Sequence, residues 1–529
     1  MSYSGPFGDS DGSKTDIKKI LDEFVPLDYG PGRGEARESD EGRIVIGAKG
    51  SGKTVYLRRV QSMVARDGSI YVADQVREEI PITDKVVYFA ELFRDRHTAP
   101  QWQLLWNRAI VRSLMSHILW GELGKDISDS TKKTLAADYE DFLSITNVPS
   151  SVYSQVSEML DLHGNAHKFT MYLDHALWRE IEYRLFTLLS KLPPVYFFID
   201  HLDDGFQQAP KHWLHCQRGL FDAVLSLLRY GNPIGRRVHV YVAVRDVVFS
   251  SALANEHAGR LLAERHIRTL YWDFETIGDF LERKLQKLDR EFLLQPAASD
   301  PMQRWLGRTS VFNAKRGIPE ELRSYVLRHT RLLPRDIIIM GNILTKAVSR
   351  AKANGETVLA DETIHDAVSE AARFFGTEQL RICANEIAAL SMRHEPALRG
   401  YSQVLLESQE YVESVYASMR MILSKIGIER FTQKKLDNIR RYINTEMPEM
   451  NEAFAVLWKN RLLGYRDKTR DGQTRDVFFS VAEPMDLDLP SGRREYIFHS
   501  CLIDSVNIKS NGKSPAHGET RRVKQVEVP

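Results

Sequence analysis

The residues Gly47-Ala48-Lys49-Gly50-Ser51-Gly52-Lys53-Thr54 fit the pattern G-x-x-x-x-G-K-[ST], whose chemistry is the binding of phosphates. Set between a strand and a helix, such a loop turns several backbone N–H groups toward the β- and γ-phosphates of a nucleoside triphosphate, at the positive end of the helix dipole. Gly50 and Gly52 permit a tight path and a close approach that a Cβ obstructs. Lys53 neutralises phosphate charge, and the Thr54 hydroxyl is placed to coordinate Mg²⁺. The apolar "RIVI" before the loop and the helix-compatible "TVYLRRV" after it supply the two elements required.

A phosphate loop also needs a carboxylate at the end of a neighbouring strand to hold hydrated Mg²⁺. The stretch "VYFFIDHLDD" offers one. Asp200 follows five apolar or aromatic residues and is expected at the carboxyl edge of the sheet, beside the loop, as the metal ligand. Asp203 or Asp204 is then available to orient or deprotonate the attacking water. Farther on, "VHVYVAV" ends in Arg245, a cation at a strand end where it can sense the γ-phosphate or else pair with Asp246 or another carboxylate. Pro334 and Arg335 in "HTRLLPRDIII" read as a helix start, from which Arg335 can reach the nucleotide or serve as a capping surface residue. His212, His215 and Cys216 share one helical face, but a structural zinc site wants four ligands and no partner cluster stands out.

These residues need a parallel sheet to position them. From Arg43 to about Lys284, short apolar runs alternate with helical stretches, as in a sheet with crossover helices. The strands expected are Ile44 to Ile46, Ile70 to Ala73, Val86 to Phe89, Val195 to Ile199, Val238 to Val244 and Ile267 to Trp272. Apolar residues at helical period fill the long stretch between the third and fourth, a helical insertion over about 98–192. The expected architecture is thus α/β: a P-loop NTPase core at 41–285 with that insertion, after a flexible arm at 1–40 with a short helix at "DIKKILDEF". An all-helical lid at 286–375 follows. Residues 376–509 read as a winged-helix domain: helices, then two strands around the hairpin turn signal Asp471-Gly472. The polar tail 510–529 reads as disordered.

Lys plus Arg total 72 and Asp plus Glu 71, a formal net charge of +1. Attraction to nucleic acid therefore has to come from a local patch. Lys434, Lys435, Arg440, Arg441, Lys459, Arg461, Arg466, Lys468, Arg470 and Arg475 in the winged-helix region supply such a patch, diluted by Glu452, Asp467, Asp471 and Asp476. Three widely spaced cysteines form no disulfide framework. The start has no apolar signal segment, and no apolar run reaches the roughly 18 residues of a membrane helix. The expected location is the cytoplasm, without a membrane.

The P-loop, "FFIDHLDD", Arg245, "TLYWDFETIGDFLERKL", "LLPRDI" and the winged helix together resemble the STAND/AAA+ branch of P-loop ATPases, over roughly residues 40–500. That branch includes the NACHT and NB-ARC signalling ATPases and the replication-initiator ATPases. The closest likeness is to STAND-like ATPases encoded in bacterial anti-phage defence loci. The resemblance implies that Gly47, Ala48, Lys49, Gly50, Ser51, Gly52, Lys53 and Thr54 bind ATP phosphates, and that Thr54 and Asp200 hold Mg²⁺. It further implies that Asp203 or Asp204 assists hydrolysis, with Arg245 as sensor and Arg335 as lid residue. The chain lacks the C-terminal repeat array on which many STAND proteins build a sensor, so the winged helix, the insertion or a separate partner has to sense. The expected function is a slow regulatory ATPase that self-assembles and controls a separate effector. The alternative is a DNA-binding ATPase of the initiator or loader type. A metabolic kinase is a weaker third, since no acceptor site is evident.

Overall fold

The computed structural model describes residues 4–25, 27, 43–74, 82–92, 98–143, 147–162, 166–200, 205–206, 208–228, 234–253, 261, 264–313, 317–392, 401–468, 474–479, 488–506 and 508–509. Two compact units share the chain. One comprises Asp11–Tyr271 and Ala388–Val412; the other comprises Met1–Ser10, Trp272–Ile387 and Glu413–Pro529. Among the described residues, no helix is long and apolar enough to cross a membrane.

The chain opens with a small antiparallel pair, β1 (Ser4–Gly5) and β2 (Gly8–Asp9), and then α1 (Ile17–Glu23), capped by the Asp16 carboxylate. These elements replace the flexible arm expected over their part of 1–40. The sheet of the first unit runs β4-β5-β6-β3-β7, all parallel. Its strands are β3 (Ile44–Gly47), β4 (Tyr71–Val72), β5 (Val195–Ile199), β6 (Val238–Arg245) and β7 (Ile267–Thr269). β3 is buried along its whole length, as a strand covered on both faces and written as a continuous apolar run should be. The coarse expectation of an α/β chain with a parallel sheet holds.

One expected strand is a helix. Val86 to Phe89 lies inside α3 (Thr83–Leu92), which follows α2 (Lys53–Val64). β-Branched and aromatic residues favour strands as a weak prior, but Val86, Val87, Phe89 and Ala90 bury a helical stripe instead. Then come α4 (Thr98–Trp120), α5 (Asp129–Leu143), α6 (Val152–Leu162), α7 (Ala166–Leu173) and α8 (Leu177–Leu189). Arg112, fully buried in α4, ties this group together. Its guanidinium donates to Gln155 Oε1 at 2.5 Å, Tyr172 Oη at 3.1 Å, Glu158 Oε2 at 3.3 Å and the Leu143 carbonyl. Helices α9 (Pro210–Leu228) and α10 (Asp246–Leu253) complete the part of this unit that precedes β7.

The second unit contains α11 (Phe274–Gln286), α12 (Pro301–Leu306), α13 (Leu322–Arg328) and α14 (Pro334–Ala353). It is not all-helical over 286–375 as expected. β8 (Ser310–Asn313) and β9 (Ile318–Glu321) pair antiparallel, with Gly317 at φ +68° just before β9. The break expected at 375/376 falls inside one 31-residue helix, α15 (Asp361–Ser391). Residue 376 is a glycine, but an isolated helical glycine costs only about 1 kcal/mol and does not end so long a helix. After α16 (Tyr401–Ile426), an antiparallel sheet of order β10-β13-β11-β12 forms from β10 (Arg430–Thr432), β11 (Leu463–Lys468), β12 (Thr474–Val477) and β13 (Glu495–Phe498). It is accompanied by α17 (Gln433–Glu446), α18 (Ala453–Lys459) and α19 (Ser500–Ser505). The Asp471-Gly472 turn and the tail 510–529 lie outside the described residues, although β11 and β12 pair on either side of the turn.

Two half-buried histidines give the fold a pH dependence. His239 on β6 lies against Tyr196, ring centroids 4.5 Å apart; burial, then Arg43 and Arg237, push its pKa down to about 3. Burial and then Arg331 push His499, the N-cap of α19, down to about 4. Below the ordinary value of about 6.5 the unfolded chain takes up a proton that the folded chain refuses, so stability falls as pH drops. For His499 the loss is confined to roughly pH 6.5 to 4 and reaches about 3 kcal/mol. Urea midpoints are expected to be flat from pH 7 to 8 and to decline below 6.5. His499→Asn, which keeps an N-cap acceptor, should shrink that decline; an unchanged slope would show that His499 does not carry it.

Candidate functional site

The loop Gly47–Thr54 joins the end of central strand β3 to the start of α2. The chain makes this turn because Gly50 and Gly52 adopt φ of +93° and +95°, a region costly for residues with a Cβ. Gly52 is the N-cap of α2 and brings no side chain to it. Ser51 is buried, and its N–H donates to the Ala48 carbonyl at 3.1 Å. The Lys53 ammonium folds back over the loop, donating to the Gly47 carbonyl at 2.9 Å and the Ala48 carbonyl at 3.2 Å. Lys53 is only 9% exposed, so its charge is concentrated in the concave side of the loop. A lysine over loop carbonyls, two glycines in left-handed conformations and a helix start converge on one place, and this donor set fits a polyphosphate.

The sheet adds two further groups at the same end. Arg245 is the last residue of β6 and stands directly opposite Gly47 in the β3–β6 ladder. It is buried, with its guanidinium carbon 4.6 Å from the centroid of the Phe206 ring. The neighbouring Asp246 carboxylate accepts the Val247 N–H at 3.0 Å. Asp200 immediately follows β5, whose Ile199 stands opposite Val242 of β6. Strand order corrects one expectation: Asp200 is not on the strand beside β3. Strand β6 lies between them, which sets the two strand axes about 10 Å apart and places Arg245 on the strand between the loop and the carboxylate.

Asp203 and Asp204 lie outside the described residues. Arg335 belongs to the second unit, at the second position of α14, where its guanidinium pairs with Glu378 Oε1 at 3.1 Å. Ser51, one of the expected phosphate-binding residues, is 1% exposed and part of the loop's packing. One participant was missed by the sequence reading. Phe206, which covers Arg245, carries no signal in the sequence because nothing local marks which aromatic ring will meet a strand end across a turn.

The basic residues expected to serve a winged helix are partly committed internally. Arg466 on β11 binds Asp476 on β12 through two hydrogen bonds, at 2.7 and 3.1 Å, in direct cross-strand register. Arg440 rests 5.9 Å from the Phe454 ring centroid. Lys434 and Arg441 remain exposed on α17.

Neither protein-family models, nor curated proteins, nor solved structures yield a match to this chain.

Proposed function

We propose that the chain is a Mg²⁺-dependent ATPase of the STAND-like P-loop kind, acting as a regulatory switch that self-assembles and controls a separate effector, in the manner of anti-phage defence ATPases. The observation that carries the ATPase part is the convergence of the Lys53-lined loop, Arg245 and Asp200 at the carboxyl ends of three consecutive strands. In this reading Gly47–Thr54 hold the phosphates, and Thr54 and Asp200 hold the metal. The metal, when bound, neutralises charge on the β- and γ-phosphates. Arg245 faces the terminal phosphate from the intervening strand, and the water-orienting role falls to Asp203 or Asp204 by sequence position. The switch part draws on the division into two units and on the winged-helix reading of residues 376–509. Arg335, as a lid residue, has to leave Glu378 to reach a nucleotide, which makes that ion pair a marker of state. The DNA-docking alternative draws on fewer free charges than the sequence offers, because Arg466 is committed to Asp476.

Asp200→Asn separates binding from turnover. It keeps the shape of the side chain and removes the charge, so ATP hydrolysis is expected to fall by about 100-fold or more, while ATP still binds and its affinity no longer responds to Mg²⁺. Equilibrium binding with and without Mg²⁺, phosphate release, and light scattering with ATP or ADP together test the reading. A wild-type chain that binds no ATP at millimolar nucleotide overturns it. A chain that hydrolyses ATP yet stays monomeric in every nucleotide, beside its partner, overturns the switch part alone.

A further inference from the structure

Residues Ser4–Ser10 and Asp11–Asp16 are consecutive, yet they are assigned to different units and gripped by different helices. The first stretch is a tight turn, Ser4 paired with Asp9 and Gly5 with Gly8, which presents Phe7. Phe7 is 1% exposed while Ser4, Gly5 and Pro6 stay at least partly open, so a single side chain is inserted. Its ring centroid lies 5.0 Å from that of Trp305 on α12. On the other side it rests on Gly341 of α14, where a Cβ would come 2.3 Å from the ring. Asn342, the next residue, binds the turn's backbone in both senses. Its Oδ1 accepts the Phe7 N–H at 2.9 Å, and its Nδ2 donates to the Gly8 carbonyl at 3.1 Å. Trp305 is itself held in place by donation from Nε1 to Thr345 Oγ1 at 3.2 Å.

The second stretch is held by Arg58 on α2, the helix that begins at Lys53. Its Nη1 donates to the carbonyls of Gly12, Ser13 and Thr15 at 2.7, 2.9 and 2.6 Å. One aromatic anchor in a fitted pocket, with a side-chain amide reading the backbone, is how domains recognise short peptide segments. Here the ligand is supplied by the chain itself, and its attachment raises its effective concentration at the groove.

We propose that the face formed by Trp305, Gly341 and Asn342 is a peptide-binding groove whose ligand is the chain's own Ser4–Ser10 turn, and that this turn is detachable. A single inserted ring lets the turn leave without unfolding the groove, because Trp305 keeps its own bond to Thr345. The inference does not depend on what the Gly47–Thr54 loop binds.

The test uses a chain lacking residues 1–10 and a fluorescein-labelled peptide of residues 2–11. The truncated chain is expected to bind the peptide saturably, at least tenfold more tightly than a peptide carrying Phe7→Ala. The intact chain is expected to bind the peptide at least tenfold more weakly than the truncated one, because its groove is filled. Equal binding of the two peptides, or equal binding by the two chains, overturns the proposal. If the truncated chain shows no cooperative melting, amide exchange in full-length Phe7→Ala decides: residues 4–9 should exchange at least tenfold faster with the rest of the chain unchanged. Unaltered exchange there, or faster exchange throughout, overturns it.

Discussion

Lys53→Ala is expected to lower the affinity for MgATP by at least about 100-fold, a difference of roughly 2.7 kcal/mol, without unfolding the chain. The ammonium is 9% exposed and already makes two hydrogen bonds to the loop's own carbonyls, at 2.9 and 3.2 Å. A charge-assisted bond to phosphate is worth about 1.5–3 kcal/mol, and here it acts beside a helix start that favours the same anion. The cost to the free fold is smaller, because the Ala48 carbonyl left behind is only partly buried and the β3–β6–β7 pairing is untouched. Lys53→Arg should fail as well, since a planar fork does not replace a compact ammonium in so tight a turn. Titration with a fluorescent nucleotide, paired with thermal melting, measures both effects. Unchanged affinity in the alanine variant would remove the loop from the nucleotide site.

The second large effect is structural. Asp336→Ala is expected to destabilise the second unit by about 3–5 kcal/mol, because it leaves a buried guanidinium without its carboxylate. Arg331 and Asp336 are 5% and 1% exposed. Asp336 Oδ2 accepts the Arg331 N–H and Nε at 3.0 Å each, and Oδ1 accepts Nη2 at 2.7 Å. The network runs on from Arg331 to Gln379, from Gln379 to Asn460 at 2.5 Å, and from Asn460 to Glu386 at 2.7 Å. Between the two partners Leu332 is held at φ +56°, and its relaxation returns part of about 1–3 kcal/mol, which favours the lower end of the range. Replacing both partners, Arg331→Met with Asp336→Leu, should recover most of the loss. Urea unfolding of the three chains tests this; a loss below about 1 kcal/mol in Asp336→Ala would mean that water reaches the pair.

How much of this was legible in the sequence follows from the range of the interactions involved. The loop Gly47–Thr54 and strands β3, β5 and β6 were read closely, because a phosphate pattern and continuous apolar runs are local signals. The order of those strands was not, and it decides that Arg245, rather than Asp200, is carried on the strand beside the loop. Val86–Phe89 was misread because β-branched residues next to an aromatic suit either a strand or a buried helical stripe, and only the packing around them chooses. The β8–β9 pair hid in a polar stretch with no alternation to mark it. The turn at Ser4–Asp9 looked like a flexible arm because glycine, serine and proline mark both loose chain and tight turns. What distinguishes them here is Asn342, more than three hundred residues away.

That separation has a consequence for synthesis. Phe7 and Asn342 are 335 residues apart, so at about 5–20 residues per second a ribosome needs roughly 20–70 s between making the one and making the other. For that interval the turn has no seat, and everything from β3 to α13 is made in the meantime. A lone phenylalanine among glycine, serine and aspartate is well suited to waiting in the open, since it gives neighbouring nascent chains one ring and no apolar run to join. The seat for one of the earliest residues is thus made only after much of the chain.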